Sequence, residues 1–178
     1  MTPLRTIRSA SQVDCDALGL VTVTASLGAF IGRIPEASLQ LGWTPDESAQ
    51  GWRKTLADLP ADEFVLVAEI DDVVVGFVWA GPSKLADGEG EVKGLYVLPT
   101  AQGQGFGSLL VCVAAQRLQR AAMSSLIVGC IAENPSCGFY RHLGGSEAFR
   151  RPGAVDRYST EEIVFRWPAI SELLADAE

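Results

Sequence analysis

The sequence predicts a single mixed α/β domain, with one sheet of six to seven mostly antiparallel strands and helices on both faces. Three observations carry that expectation. Apolar periodicity switches along the 178 residues between strand-like and helix-like stretches, in the order β-α-α-β-β-β-α-β-α-β-β. One strand–helix–strand unit sits in the middle of an otherwise antiparallel plan, so the sheet is mixed. Hydrophobic residues at 48% and charged residues at 20% are enough for a core without disulfide or metal staples.

Taken in order, LRTIRSAS reads as a short first strand, after which Ser11 or Asp14 can cap a helix. Leu18, Val21, Leu27 and Ile31 then recur at helical spacing over residues 14–31. Gly32 to Pro45 reads as a loop or broken helix, and Asp46 starts a second helix carrying Ala49, Trp52, Arg53 and Leu56. From Phe64 the period becomes that of strands. FVLVAEI and VVVGFVWAG, separated by Asp71 and Asp72, form an antiparallel hairpin. Pro82 to Gly90 is a polar connection, and EVKGLYVLP is a third strand stopped by Pro99.

The glycine-rich AQGQGFG leads into about 16 residues of helix, with Phe106, Leu110, Val113, Ala114 and Leu118 on one stripe. LIVGCIAE is a nearly unbroken apolar strand, suited to a central position. Asn134 and Pro135 open a further helix that Gly144–Gly145 closes. EAFR and EEIVFRW are the last strands. The domain is expected over residues 1–167, followed by a short helix or tail over 168–178.

A net charge of −8 argues against a sequence-independent grip on nucleic acid, which needs cationic side chains to replace counterions. It also disfavours an anionic membrane surface, and it suits a cationic partner. Cys15, Cys112, Cys130 and Cys137 form no CxxC pair, and His142, the only histidine, cannot complete an ordinary zinc spacing. They read as buried or half-buried thiols in a reducing compartment. With no apolar leader at the start and no stretch that approaches a membrane span, a cytoplasmic location is expected.

Gly103, Gly105 and Gly107 fall between a strand and a helix. Such a turn leaves main-chain N–H groups uncovered, and the first turn of a helix presents positive charge, so the segment is a candidate pyrophosphate cradle. A Walker A loop is excluded because no lysine stands here. The dinucleotide pattern GxGxxG is excluded because Ser108 and Leu110 occupy the places a third glycine would need.

The whole segment EVKGLYVLPTAQGQGFGSLLVCVAAQRLQ resembles the GNAT superfamily (GCN5-related N-acetyltransferases). The family signature Gln/Arg-x-x-Gly-x-Gly/Ala reads here Gln102-Gly103-Gln104-Gly105-Phe106-Gly107, behind a strand ending Leu95-Tyr96-Val97-Leu98-Pro99. The later AENPSCGFYRHLGG is similar to the family's Asn followed by Phe-Tyr-x-x-x-Gly-Phe. The likeness covers residues 64–167 well and the N-terminal third by element order only. Two departures stand out: Gln102 replaces an arginine, an accepted variant, and Gly145 stands where an aromatic often follows, with Phe149 expected to fill the core instead.

The resemblance implies an acyl-CoA N-acyltransferase fold with one splayed parallel pair, and direct transfer of an acetyl group from acetyl-CoA to an amine. It implies that the Gly94–Leu98 strand, with Leu95, Tyr96 and Val97, pairs with the pantetheine arm. Main-chain groups of Gln102, Gly103, Gln104, Gly105, Phe106, Gly107 and Ser108 would hold the pyrophosphate. Gln104 is a side-chain contributor or plain solvent-exposed. Asn134 binds the pantetheine arm or caps a helix. Tyr140 is the acid that protonates the leaving thiolate, or half-buried packing.

Glu91 is the leading base, against a solvated strand start, because a register shift of one residue would turn it to the other face. Glu69 is a weaker candidate, and Cys137 lacks a histidine–acid pair that would make it a covalent relay. Trp43, Asp46, Glu47 and Trp52 would wall an acceptor site, or simply pack, and the 82–90 loop would help select the acceptor. A small amine is expected ahead of a protein N-terminus or lysine, and a homodimer is reasonable from the sheet's edges. The alternative is a non-catalytic acyl-CoA-binding or regulatory module.

Overall fold

The computed structural model describes residues 4–36, 44–155 and 157–175. Seven strands form one sheet: β1 (Arg5–Ser9), β2 (Phe64–Ile70), β3 (Val73–Pro82), β4 (Glu89–Val97), β5 (Ser125–Ile131), β6 (Ser146–Val155) and β7 (Tyr158–Trp167). Their order across the sheet is β1-β2-β3-β4-β5-β7-β6. Every neighbouring pair is antiparallel except β4 and β5. The mixed sheet and the order of elements along the chain are as expected.

Among the described residues there are five α-helices: α1 (Cys15–Phe30), α2 (Pro45–Ala57), α3 (Phe106–Arg120), α4 (Ser136–His142) and α5 (Ile170–Ala175). Helix α1 follows a 3-10 turn capped by both anticipated residues, since Ser11 N–H and Oγ donate to Asp14 Oδ2 at 2.7 and 3.1 Å. Helix α2 begins one residue earlier than Asp46, because Thr44 and Glu47 form a reciprocal cap with proline in the first turn. Asp71 and Asp72 both take positive φ (48° and 66°), the geometry of the two-residue turn that joins β2 to β3.

The two faces carry separate apolar clusters. Leu110, Ala114 and Leu118 of α3, with Ile170 and Leu173 of α5, pack on Leu66, Val78, Val92, Leu126 and Phe165. Leu18 and Val21 of α1 and Trp52 of α2 pack on Val65, Val67 and Phe77 from the opposite side.

The Gln12–Phe30 segment has a mean hydropathy of 1.4 over its window, long and apolar enough to cross a membrane by length and composition. The expectation that no stretch approaches a span is corrected there. In the fold this segment lies on the sheet, with Leu18 and Val21 fully buried.

Gly145 leaves the space an aromatic would take, but Phe149 does not fill it, being 43% exposed. Trp167 does. A Cβ at position 145 would stand 2.7 Å from its ring, and its indole N–H donates to Leu143 O at 2.7 Å.

Candidate active site

The parallel pairing of β4 with β5 runs for four residues only, from Glu89↔Ser125 to Val92↔Val128. Beyond Val92 the strands part. Strand β4 stays zipped to β3 through Val97, with a register shift at Trp79/Ala80 that leaves Lys93 as the bulged residue. Strand β5 stays zipped to β7 through Ile131. The edges of Lys93–Val97 and Gly129–Ile131 that face each other therefore lack ladder partners, and a gap opens between them. Leu95, Tyr96 and Val97 border it. Phe77 stacks on Tyr96 at 5.1 Å, fixing that ring on the α1 side.

At the open end of the gap the chain turns into α3. Gly103 and Gly105 have φ of 73° and 85°, a region side-chain-bearing residues rarely occupy. A Cβ at either position would meet nothing within 4 Å, so that side of the turn is uncovered. Helix α3 has no side-chain cap. Among the described residues, the N–H groups from Gly103 to Ser108 find no main-chain acceptor. Six unpaired donors at a helix N-terminus, beside a gap in a sheet, are an arrangement that suits an anion.

The side chains of this turn brace it. Gln102 Nε2 donates to Val97 O at 3.0 Å, and Gln104 Nε2 to Thr100 O at 2.9 Å. The Gln104 carbonyl accepts from Arg5 at 3.1 Å. Phe106 is buried in the main core. Gly107 gives room to α4, since a Cβ there would stand 3.2 Å from Phe139 Cζ.

Asn134 follows β5. Its Oδ1 accepts from Ser136 N at 2.9 Å, so the oxygen does the helix-capping work while the amide N–H₂ stays available as a donor.

Tyr140 lies one turn into α4 and is 5% exposed, against Phe139, Phe165 and Trp167. Burial pushes its hydroxyl well above the ordinary phenol value. Its oxygen has no protein hydrogen-bond partner among the described residues, yet it is not among the buried polar atoms closed off from solvent.

Glu91 pairs in register with Gly81 and with Ile127, one residue before the strands part. Gly90 faces α3, because a Cβ there would stand 2.8 Å from Leu118, so alternation turns Glu91 to the α1–α2 side. It is half-buried and makes no hydrogen bond or ion pair among the described residues. Glu69 is different. Its carboxylate is held by Arg8 Nη2 at 2.5 Å and Thr6 Oγ1 at 2.9 Å, at the β1 edge, so the weaker base candidate is a structural ion pair.

On the α1–α2 side a cavity of about 310 Å³ is lined by Thr22, Glu47, Ser48, Gly51, Trp52, Thr55 and Trp79. Glu47 and Trp52 belong to the expected wall, Asp46 does not line it, and Trp43 lies outside the described residues. Trp52 is chiefly a core residue, edge-on to Phe77 at 4.9 Å. The 82–90 loop does not line this cavity.

Sequence reasoning missed Trp79, whose indole donates to Glu63 Oε2 at 2.8 Å while Lys93 meets Glu63 Oε1 at 3.1 Å. A lone tryptophan in an aliphatic strand was the signal for it. It also missed Glu162, whose carboxylate is held by Arg151 and lies over Gly129, where any side chain would collide with it.

The family model described as Acetyltransferase (GNAT) family matches residues 32–144. YuaI of Bacillus subtilis (strain 168), an uncharacterized N-acetyltransferase, is 30% identical over 102 residues, 56% of this chain and 59% of that protein. The match thus spans less than two thirds of that curated relative, at 59% of its length.

Among solved structures, the PaiA N-acetyltransferase from Thermoplasma acidophilum in complex with coenzyme A has a TM-score of 0.68 at 15% identity, covering 92% of this chain and 98% of that one. Ribosomal-protein-alanine N-acetyltransferase from Brucella melitensis has a TM-score of 0.66 at 23% identity, covering 91% and 98%. At these identities the likeness is one of fold.

Proposed function

The chain belongs to the acetyltransferase (GNAT) family, and on that premise we propose that it moves an acetyl group from acetyl-CoA directly to a primary amine. The observation that carries this reading is the run of unpaired N–H groups from Gly103 to Ser108, beside the unpaired edge of β4. Pyrophosphate accepts from the first and the amides of the pantetheine arm pair with the second, as a peptide adds to a sheet edge. The free N–H₂ of Asn134 donates to the same arm. The six uncovered donors fit a diphosphate, and the gap admits a flat chain.

The amine arrives from the α1–α2 side as an ammonium ion. Glu91, with no other partner, takes its proton directly or through water. The amine then attacks the thioester carbonyl; a C–N bond forms, the nitrogen releases its second proton to solvent, and the C–S bond breaks. The departing thiolate takes its proton from Tyr140, and the phenol is restored from solvent. No covalent acyl-enzyme is needed, consistent with the absence of any imidazole beside Cys137.

A small-molecule amine is the preferred acceptor, ahead of a protein N-terminus or lysine. What supports this is a cavity of about 310 Å³ with Trp52, Trp79 and Glu47 in its wall, in a chain of net charge −8. A cytoplasmic enzyme, and a homodimer formed at a free sheet edge, go with this reading.

Calorimetry with acetyl-CoA, followed by thiol release across a panel of mono- and diamines, amino acids and N-terminal peptides, tests it. Micromolar or tighter binding with turnover of at least one amine is expected. Absence of both heat and thermal shift with acetyl-CoA would sink the proposal.

A further inference from the structure

Of the four free cysteines, Cys130 and Cys137 alone meet, with their sulfur atoms 3.1 Å apart. Cys130 is the last residue but one of β5, past the part paired with β4, and Cys137 sits in the first turn of α4. Both are buried, at 4% and 5% exposure, and neither has a part in the transfer reaction. A disulfide bond is about 2.05 Å long, so closing this contact needs an approach of about 1 Å between β5 and the first turn of α4.

The two thiols are not equivalent. The contact with Cys130 holds Cys137 below the ordinary thiol value, with help from Arg141, and burial opposes this. The same contact and burial push Cys130 up. Cys137, four residues before Arg141 in α4, is the sulfur better placed to react as thiolate, the form that attacks oxidants.

We propose that Cys130 and Cys137 are a peroxide-responsive dithiol whose closure to a disulfide weakens the acetyl-CoA site. The weakening rests on the acetyl-CoA reading above; the bond formation does not. The Cys137 thiolate attacks one oxygen of hydrogen peroxide, the O–O bond breaks, and hydroxide leaves and is protonated to water. The resulting sulfenic acid is attacked by Cys130, the S–O bond breaks, the S–S bond forms, and a second water departs. Two electrons pass from the dithiol to the peroxide, and both thiol protons end in water. Peroxide is the fitting oxidant because the sulfurs are too enclosed for a bulky disulfide.

The consequence runs through α4. Asn134, the pantetheine donor, lies between the two cysteines, and Tyr140 is one turn beyond Cys137. Phe139 rests on Gly107 of the glycine turn. Drawing the first turn of α4 toward β5 moves all three contacts together.

The test treats reduced, desalted protein with hydrogen peroxide and alkylates what remains with N-ethylmaleimide under denaturing conditions. Two alkylated cysteines instead of four and a Cys130–Cys137 cross-linked peptide are expected. Titration uses acetyl-CoA, since the thiol of free coenzyme A would reduce the bridge. Oxidation should weaken binding at least fivefold, and dithiothreitol should restore it. A C130S/C137S double variant should bind acetyl-CoA without responding to peroxide; if it does not fold, the comparison of oxidised with re-reduced native protein decides.

Four alkylated thiols, oxidation that stops at Cys137 without a bridge, or a bridge that changes affinity less than fivefold would each overturn the proposal. Failure of the reduced protein to bind acetyl-CoA would instead overturn the acetyltransferase reading, and with it the switching role, while the thiol count still reports on the bridge.

Discussion

A phenol protonates a leaving thiolate only if it keeps its own proton until the C–S bond breaks. Burial against Phe139, Phe165 and Trp167 gives Tyr140 that property by raising its hydroxyl above the ordinary value. The same surroundings allow a clean test. Tyr140→Phe removes one oxygen that has no protein partner and leaves the ring packing in place. Turnover should fall about 10- to 1000-fold, with acetyl-CoA affinity kept and no loss in melting temperature, read by thiol release, calorimetry and thermal unfolding. A role in packing alone predicts unchanged turnover, and that result would remove Tyr140 from the mechanism. Glu91 and Glu69 illustrate the same dependence on surroundings. Both are acidic strand residues, but Arg8 and Thr6 occupy Glu69, whereas Glu91 makes no hydrogen bond or ion pair among the described residues and faces the α1–α2 side.

The element that depends most on its glycines is the turn from β4 into α3. Gly105 precedes the first helical residue at φ 85°, so a side chain there is strained even though a Cβ would touch nothing. Gly105→Ala should cost about 1–2 kcal/mol, a melting-temperature drop of roughly 2–8 °C for a chain this size. It should also weaken acetyl-CoA about tenfold, equivalent to about 1.4 kcal/mol, because relieving the strain at this residue turns the neighbouring N–H donors out of place. Calorimetry and melting curves check both, and unchanged affinity in a folded variant would argue that these amides do not hold the ligand.

This turn and the order of elements were legible in the sequence because local chemistry dictates them, in glycine spacing, proline stops and the change of apolar period. The bulge at Lys93 was not legible. It depends on how β3 and β4 align, and alternation around Glu91 looked the same in either register until Gly90 was seen against Leu118. Trp167 taking the space beside Gly145, and Glu63 joining Trp79 to Lys93, are contacts between distant segments that no local pattern encodes.

Across the whole molecule, Arg8 ties three elements together. It donates to Asp14 at the entrance to α1 through Nη1 and Nη2 at 2.9 and 2.8 Å, and to Glu69 on β2. The N-terminal strand also reaches the glycine turn through Arg5, so this hub steadies the edge of the sheet that supports the site. Arg8, then the hydrogen bonds of Ser11, hold the Asp14 carboxyl below its ordinary value, against the opposing effect of burial. In the unfolded chain Asp14 titrates near the usual value of about 3.9. On acidification the unfolded state therefore binds its proton first, and the contribution of Asp14 is present above that pH and lost as the pH falls through the folded value.

Many other carboxylates titrate in the same range, so the informative quantity is the difference between two proteins. Asp14→Asn should lower the unfolding free energy at pH 7 by about 1–3 kcal/mol, the usual loss for a hydrogen-bonded charged group. Its stability should also decline less steeply than that of the native protein below about pH 4. Urea unfolding at stepped pH reads both. Parallel curves for the two proteins down to pH 3 would mean that Asp14 carries no pH-linked stability, and that Glu69 alone anchors Arg8.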